Sequence, residues 1–181
     1  FLDHRPLRHR VRELASGKRF LNLFCYTGTV TVYAATGGAA STVSVDLSNT
    51  YLDWAEANLA LNHVATPSQR LVQGDAMRFI ENDQGEYDLI YVDPPTFSNS
   101  KSANDFDVQR DHVTLLKACA ARLAKGGLIL FSNNNRRFKI DQDALFDLEI
   151  TDISKRSIPF DFARNDRIHH CFEIRRREPA E

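Results

Sequence analysis

Short apolar runs alternate with longer amphipathic stretches along this chain, the pattern of βα units feeding a mostly parallel sheet. Residues 20–24 read as a buried strand, and 29–35 as a helix that Gly37-Gly38 ends. Residues 42–45 predict a second strand closed by Asp46. A helix follows over 49–62, with Leu52, Ala55 and Leu59 on one face and Ser48 as its N-cap. A third strand is expected at 70–73, then Gly74-Asp75 and a short helix to about Ile80. The run Tyr87-Asp88-Leu89-Ile90-Tyr91-Val92 is apolar enough for a central strand, and Asp93-Pro94-Pro95 stops it. After a polar loop over 96–105 the pattern predicts a long helix over 106–123, a turn at Gly126-Gly127 and a fifth strand at 128–131. A short helix at 141–146 and strands at 148–153 and 171–174 complete the series, with an irregular segment over 157–169. Residues 1–17 read as a lead-in helix, so 1–181 forms a single α/β domain with a seven-stranded sheet and helices on both faces.

Composition narrows the classes. A chain of 181 residues, 43% apolar and 26% charged, is one ordinary globular domain able to bury its own core. Cys25, Cys119 and Cys171 stand far apart with no C-x-x-C pair, so no metal site is expected. Such lone thiols suit a reducing cytosol, and a cytoplasmic location is expected. No apolar run approaches the ~18 residues of a membrane span. The net charge is −1, yet basic residues cluster: Arg5, Arg8, Arg10 and Arg12 with His4 and His9; Arg136, Arg137 and Lys139; and Arg164, Arg167 and Arg175 to Arg177. Such patches either bind phosphates or are solvated faces, and composition leaves both open. The Met-less opening Phe1-Leu2-Asp3-His4-Arg5 reads as a cut through a longer protein.

Chemistry is expected where strands end, because open α/β sheets bind ligands at their carboxyl edge. The first strand leads into Cys25-Tyr26-Thr27-Gly28-Thr29, with one glycine where a dinucleotide fingerprint needs three. Asp46 follows 18 residues beyond Gly28, at the distance of an acid that accepts from ribose hydroxyls. Asp75 can accept from an adenine amino group. Each acid alone is as well explained as a helix cap, but together the three tips describe a site for an adenosine without phosphates, and S-adenosylmethionine (SAM) fits that description. The stiff Asp93-Pro94-Pro95-Thr96-Phe97 turn can present carbonyls and an aromatic ring to a planar substrate.

These segments resemble the ordered motifs of class I SAM-dependent RNA methyltransferases: Asn22-Leu23-Phe24-Cys25-Tyr26-Thr27-Gly28, Val45-Asp46-Leu47-Ser48, Gly74-Asp75-Ala76 and Asp93-Pro94-Pro95-Thr96-Phe97. The likeness extends over the whole chain, through Asp107-Val108-Gln109-Arg110-Asp111-His112 and Asp161-Phe162-Ala163-Arg164-Asn165. It is strongest to the C-terminal, guanine-N7-methylating half of bacterial bifunctional large-subunit ribosomal RNA methyltransferases. The resemblance implies a Rossmann-like fold, SAM as cofactor with S-adenosylhomocysteine as product, ribosomal RNA as substrate, and an upstream RNA-binding or methyltransferase region of the same polypeptide as partner. It assigns Asn22, Phe24, Tyr26, Thr27 and Gly28 to the methionine and ribose side, Asp46 to the ribose, Leu47 beside the adenine, Ser48 to the cofactor site, and Asp75 and Ala76 to the adenine edge. Arg5 is a candidate for the methionine carboxylate. Asp93, Pro94, Pro95, Phe97 and Asn133 are expected around the target base, with Asp93 shared between the two ligands. Related cytosine-C5 enzymes carry a cysteine just after strand five, where this chain has Ser132-Asn133-Asn134. The competing readings are exocyclic guanine N2 methylation, which the Thr96 ahead of Phe97 disfavours, and a non-catalytic SAM-binding module docking on RNA.

Overall fold

The computed structural model of the chain describes residues 1–98 and 106–177. Its strands are β1 (Arg19–Leu23), β2 (Ser41–Asp46), β3 (Gln69–Gln73), β4 (Tyr87–Val92), β5 (Phe97–Ser98), β6 (Phe106–Asp107), β7 (Leu123–Asn133), β8 (Leu148–Asp152) and β9 (His170–Arg176). Seven of them form one sheet in the order β3-β2-β1-β4-β7-β9-β8. The first five in that order are parallel; β9 runs antiparallel to both its neighbours. The helices are α1 (Arg5–Leu14), α2 (Thr29–Thr36), α3 (Asn49–Leu61), α4 (Ala76–Asn82), α5 (Val108–Ala121) and the single turn α6 (Ser154–Ser157).

Alternation along the central strands builds two cores. Leu21, Leu23, Ile90, Val92, Ile129 and Phe131 face α4 and α5. Their neighbours Phe20, Leu89, Tyr91, Leu128 and Leu130 face α1 and α2. Successive side chains point to opposite faces, so strands covered on both sides must be apolar throughout. The chain steps outward from β1 to β3 and then returns to β4 on the other side of β1. That reversal opens a crevice beyond the carboxyl ends of β1 and β4, where ligands of such sheets bind.

Several local expectations give way to tertiary contacts. The Gly126-Gly127 turn is a bulge within β7: Tyr87 pairs with Leu123 and Leu89 with Leu128, and Gly126 takes φ 72° to let the strand resume. Helix α5 starts at Val108 rather than Phe106, because Phe106–Asp107 pairs antiparallel with Phe97–Ser98. Asp107 then caps the helix by accepting from Arg110 N–H at 2.9 Å. Residues 142–147 form consecutive turns instead of a helix, since the chain must bury Leu145 and enter β8 within a few residues. Of the polar loop over 96–105, residues 99–105 lie outside the described residues. No helix among the described residues is long and apolar enough to cross a membrane.

Candidate active site

The carboxyl ends of β1, β2, β3 and β4 enclose a cavity of about 670 Å³, a volume typical of small-molecule sites. Asn22, Phe24, Cys25 and Tyr26 line it after β1, Asp46, Leu47 and Ser48 after β2, Asp75, Ala76 and Met77 after β3, and Asp93, Pro94, Pro95 and Thr96 after β4. Asp46, Asp75 and the Asp-Pro-Pro turn therefore share one cavity.

The turn after β1 is strained. Phe24 (φ 57°) and Tyr26 (φ 51°) are left-handed, which costs a residue with a Cβ about 1–2 kcal/mol. Cys25 N–H donates to Val45 O at 2.9 Å and Tyr26 N–H to Asp46 Oδ2 at 2.8 Å, holding the turn against β2. Beneath it, Asn22 Nδ2 donates to Thr31 Oγ1 at 2.9 Å, and Thr31 Oγ1 lies 2.6 Å from Ser44 Oγ, a buried polar tie between β1, α2 and β2.

Asp46 also accepts from Ser48 N–H, through Oδ1 at 3.0 Å. Each carboxylate oxygen has a second lone pair, so a carboxylate fixed by two backbone donors can still accept from two adjacent hydroxyls. Leu47, Ala76, Met77 and the ring of Tyr51 give the neighbouring wall an apolar character. Asp75 caps α4 by accepting from Arg78 N–H at 2.9 Å while lining the cavity. One carboxylate thus serves helix and site together. An apolar slot between two anchored carboxylates fits an adenosine.

At the far end, Ser132 Oγ donates to Asp93 Oδ1 at 2.6 Å, and Asp93 Oδ2 lies 3.4 Å from His4 Nδ1. The Tyr91 hydroxyl is 3.2 Å from the same His4 nitrogen. Behind His4, Asp3 Oδ2 accepts from His169 Nδ1 at 2.9 Å, and Ser157 Oγ lies 2.8 Å from His169 Nε2. His4, Asp3, His169 and Ser157 are all buried. Among the described residues His4 Nε2 has no hydrogen-bond partner, the Asp3 carboxylate lying 3.4 Å away. Burial pushes the His4 imidazole below its ordinary value, against the pull of Asp93 and Asp3. Burial also raises the Asp3 carboxyl, but the His169 hydrogen bond and the nearby His4 outweigh it and hold Asp3 low. The side-chain polar atoms of Asp3, His4 and His169 lie within 4.8 Å of one another; Asp3 and His169 are hydrogen-bonded, and His4 meets them through the 3.4 Å contact to Asp3 and the edge of its ring on His169.

A pH dependence of stability follows. A histidine whose folded value is depressed stabilises the fold above its unfolded value of ~6.5, and that contribution is lost as pH falls below it, because the unfolded chain takes up the proton first. Asp3 contributes in the same sense at lower pH, below the ordinary carboxylate value of 3.8. The melting temperature is expected to fall by a few degrees between pH 7 and pH 5.5, at ~2–4 °C per kcal/mol for a domain of this size. His4→Gln should flatten that slope. Equal slopes for the two proteins would show that His4 is not the neutral buried group.

Not every expected residue reaches the cavity. Arg5 forms an ion pair with Asp161 and sits over the Phe162 ring, so Arg8, one turn later, is the arginine that lines the site. Arg8 also donates to Phe1 O at 2.7 Å. Thr27 O accepts from Asn58 Nδ2 at 2.8 Å, and Gly28 packs on Ala55 of α3; both face the scaffold. Asn133 is fully buried, its Oδ1 accepting from Asn135 N–H at 3.1 Å, and Asn134 lines the cavity in its stead. Phe97, 66% exposed, stands outside the lining, beyond Thr96. Phe1, His4, Thr29, Tyr91 and Phe106 line the site without having been expected there. His4 had been read only as one member of a basic cluster.

A family model described as S-adenosylmethionine-dependent methyltransferase matches residues 1–169. The chain belongs to that family. Among curated relatives, the ribosomal RNA large subunit methyltransferase K/L of Syntrophotalea carbinolica is 54% identical over 98% of this chain. The protein of the same name from Pseudomonas aeruginosa is 56% identical over 96%. The chain spans about a quarter of the length of these relatives. Among solved structures, SMU.776, a candidate methyltransferase complexed with SAH, superposes with a TM-score of 0.82 at 29% identity, over 96% of this chain and 49% of that one. The fold of this methyltransferase and its SAM dependence thus agree with the chemistry of the cavity.

Proposed function

We propose that this methyltransferase transfers the methyl group of SAM to N7 of a guanine in large-subunit ribosomal RNA. The names of the curated relatives support the RNA. Delivery of that RNA is assigned to an upstream region of the same polypeptide, in keeping with relatives about four times as long as the matched segment. SAM supplies an electrophilic methyl group on a sulfonium. Asp46 is assigned to the ribose hydroxyls, Leu47 and Ser48 to the wall beside them, Asp75 and Ala76 to the adenine, and Phe24 and Tyr26 to the methionine side. Asn22, Thr27 and Gly28 hold the turn that carries those contacts, and Arg8 replaces Arg5 as the cation nearest the methionine carboxylate.

Asp93 carries the reading of the methylated position. Its Oδ1 accepts from Ser132 at 2.6 Å and its Oδ2 lies 3.4 Å from His4, which fixes the carboxylate as a negative charge beside the base, while Thr96 rather than an aromatic ring follows Pro95 at the cavity wall, against the pattern of exocyclic-amine enzymes. Guanine N7 already offers an in-plane lone pair and releases no proton. The enzyme then needs only alignment, worth ~7–11 kcal/mol, and negative dipoles near a ring that becomes positive. Asp93 and the Pro94 carbonyl supply those dipoles, with Pro95 stiffening the turn and Asn134 beside it, while Asn133 acts only from behind, holding the chain after β7 through Asn135 N–H. Phe97 is assigned to stacking, worth ~1–3 kcal/mol per base, on a guanine extruded from any helix it occupied. Addition of a thiolate to a pyrimidine is disfavoured. Cys171 pairs in register with Ser132, but its thiol is fully buried on the α1 and α2 side and burial pushes it far above the ordinary value.

Two modified RNAs test this. RNA transcribed with 7-deazaguanine, which lacks the acceptor nitrogen, should take up no methyl group. RNA carrying 5-fluorocytosine should form no covalent adduct with the protein. Methylation of the 7-deaza transcript at the rate of the unmodified one would overturn the assignment to N7.

A further inference from the structure

The three basic clusters of the sequence do not meet the same fate in the fold. In the first, Arg5 pairs with Asp161 and Arg10 with Glu173 at 3.0 Å. In the third, Arg175 donates to Gly126 O at 3.0 Å and Arg177 to Leu148 O at 3.1 Å, while Arg164, Arg167 and Arg176 are exposed with no acidic partner among the described residues but sit in segments that contribute nothing to the cavity lining. Arg136, Arg137 and Lys139 are exposed, and none has an acidic partner among the described residues.

Their loop leaves β7 directly beyond Asn134, which lines the cavity. It is also built to keep its shape. Phe138 is buried between Phe131, His112 and Phe172, so the side chains beside it turn outward. Gln109 of α5 bonds the Lys139 backbone twice, donating to its O and accepting from its N–H, both at 2.9 Å. His112 Nε2 accepts from Asp141 N–H at 3.0 Å, with Nδ1 2.9 Å from Gln109 O. A turn held by one aromatic anchor and two α5 side chains presents three cations at fixed positions beside the acceptor end of the site. Uncompensated charge of one sign on a rigid loop is what a polyanion needs, and the cost of ordering the loop is met in folding rather than on binding.

We propose that the loop carrying Arg136, Arg137 and Lys139 is a preformed phosphate clamp for the RNA strand that enters the site, with Gln109 and His112 as the residues that hold it in shape. The inference rests on an RNA substrate and is independent of which guanine atom is methylated. Phosphate contacts fix register without reading sequence, so the clamp would seat the strand while the Asp-Pro-Pro turn meets the base.

The test measures binding of this chain to a fluorescein-labelled 16-nucleotide single-stranded RNA of mixed sequence across a salt series. The triple variant Arg136→Ala/Arg137→Ala/Lys139→Ala is compared with a charge-matched control, Arg12→Ala/Lys18→Ala/Lys125→Ala. The control removes three cations near the amino-terminal edge of the sheet, before β1 and in the bulge of β7. Each phosphate contact to a single strand contributes ~0.7 to the slope of log K against log salt. The clamp variant should lower that slope by ~1.4–2.1, for two to three contacts, and bind at least tenfold more weakly at 100 mM salt. The control should leave both nearly unchanged, and SAM affinity by calorimetry should match wild type in both variants. Gln109→Ala should weaken RNA binding with the slope retained, because it loosens the loop without removing charge. An unchanged slope in the clamp variant, or an equal fall in both triple variants, would overturn the proposal. A clamp variant that behaves as expected while the methylated product is not N7-methylguanine would leave the clamp standing and remove only the assigned position.

Discussion

Asp46→Ala is expected to weaken SAM binding by roughly ten- to a hundredfold, and further if the turn after β1 relaxes. Hydrogen bonds to a charged group contribute ~1.5–3 kcal/mol, and the Asp46 carboxylate is the group assigned to both ribose hydroxyls. The same carboxylate accepts from Tyr26 N–H at 2.8 Å and Ser48 N–H at 3.0 Å. Its loss therefore leaves two donors without their acceptor and frees a turn in which Phe24 and Tyr26 are left-handed. Asp46→Asn keeps one acceptor oxygen and should fall between wild type and alanine. Calorimetric titration with SAM reads this directly. Wild-type affinity in Asp46→Ala would detach this residue from the cofactor.

Gly28→Ala should destabilise the fold by about 2–5 kcal/mol. A Cβ built on Gly28 stands 2.6 Å from Ala55 Cβ and 3.2 Å from its Cα, and Gly28 has φ 66°. Overpacking costs ~1–3 kcal/mol and the left-handed backbone a further ~1–2 kcal/mol. At ~2–4 °C per kcal/mol, the melting temperature should fall by roughly 4–20 °C. Ala55→Gly in the same chain removes the clash but not the backbone strain, so the double variant should recover part of the loss beyond the sum of the single effects. A Gly28→Ala protein that melts like wild type yet binds SAM poorly would return this glycine to the ligand side.

Gly28 also marks how far a single sequence reaches. Its importance was legible from the motif; the reason was not, because Ala55 lies 27 residues away on a helix whose approach only the packed structure reveals. The strands of the central sheet were legible because burial on both faces demands unbroken apolar runs, as in Tyr87–Val92. Asp46, Asp75 and Asp93 were legible because strand ends are where such sheets bind ligands. What failed was decided at long range. Arg5 was aimed at a cofactor carboxylate, but Asp161, 156 residues on, takes it. His4 looked like one cation in an arginine-rich run, whereas Asp3, Tyr91, Asp93 and His169 surround it and burial keeps it neutral. Phe106 carries a helix-like neighbourhood in sequence yet pairs with Ser98 and turns into the cavity.

The methylated atom is read by mass spectrometry of nucleosides from unmodified large-subunit ribosomal RNA incubated with this chain and isotopically labelled SAM. Label is expected in N7-methylguanosine. Label in N2-methylguanosine or 5-methylcytidine, with none in N7-methylguanosine, would contradict the N7 assignment.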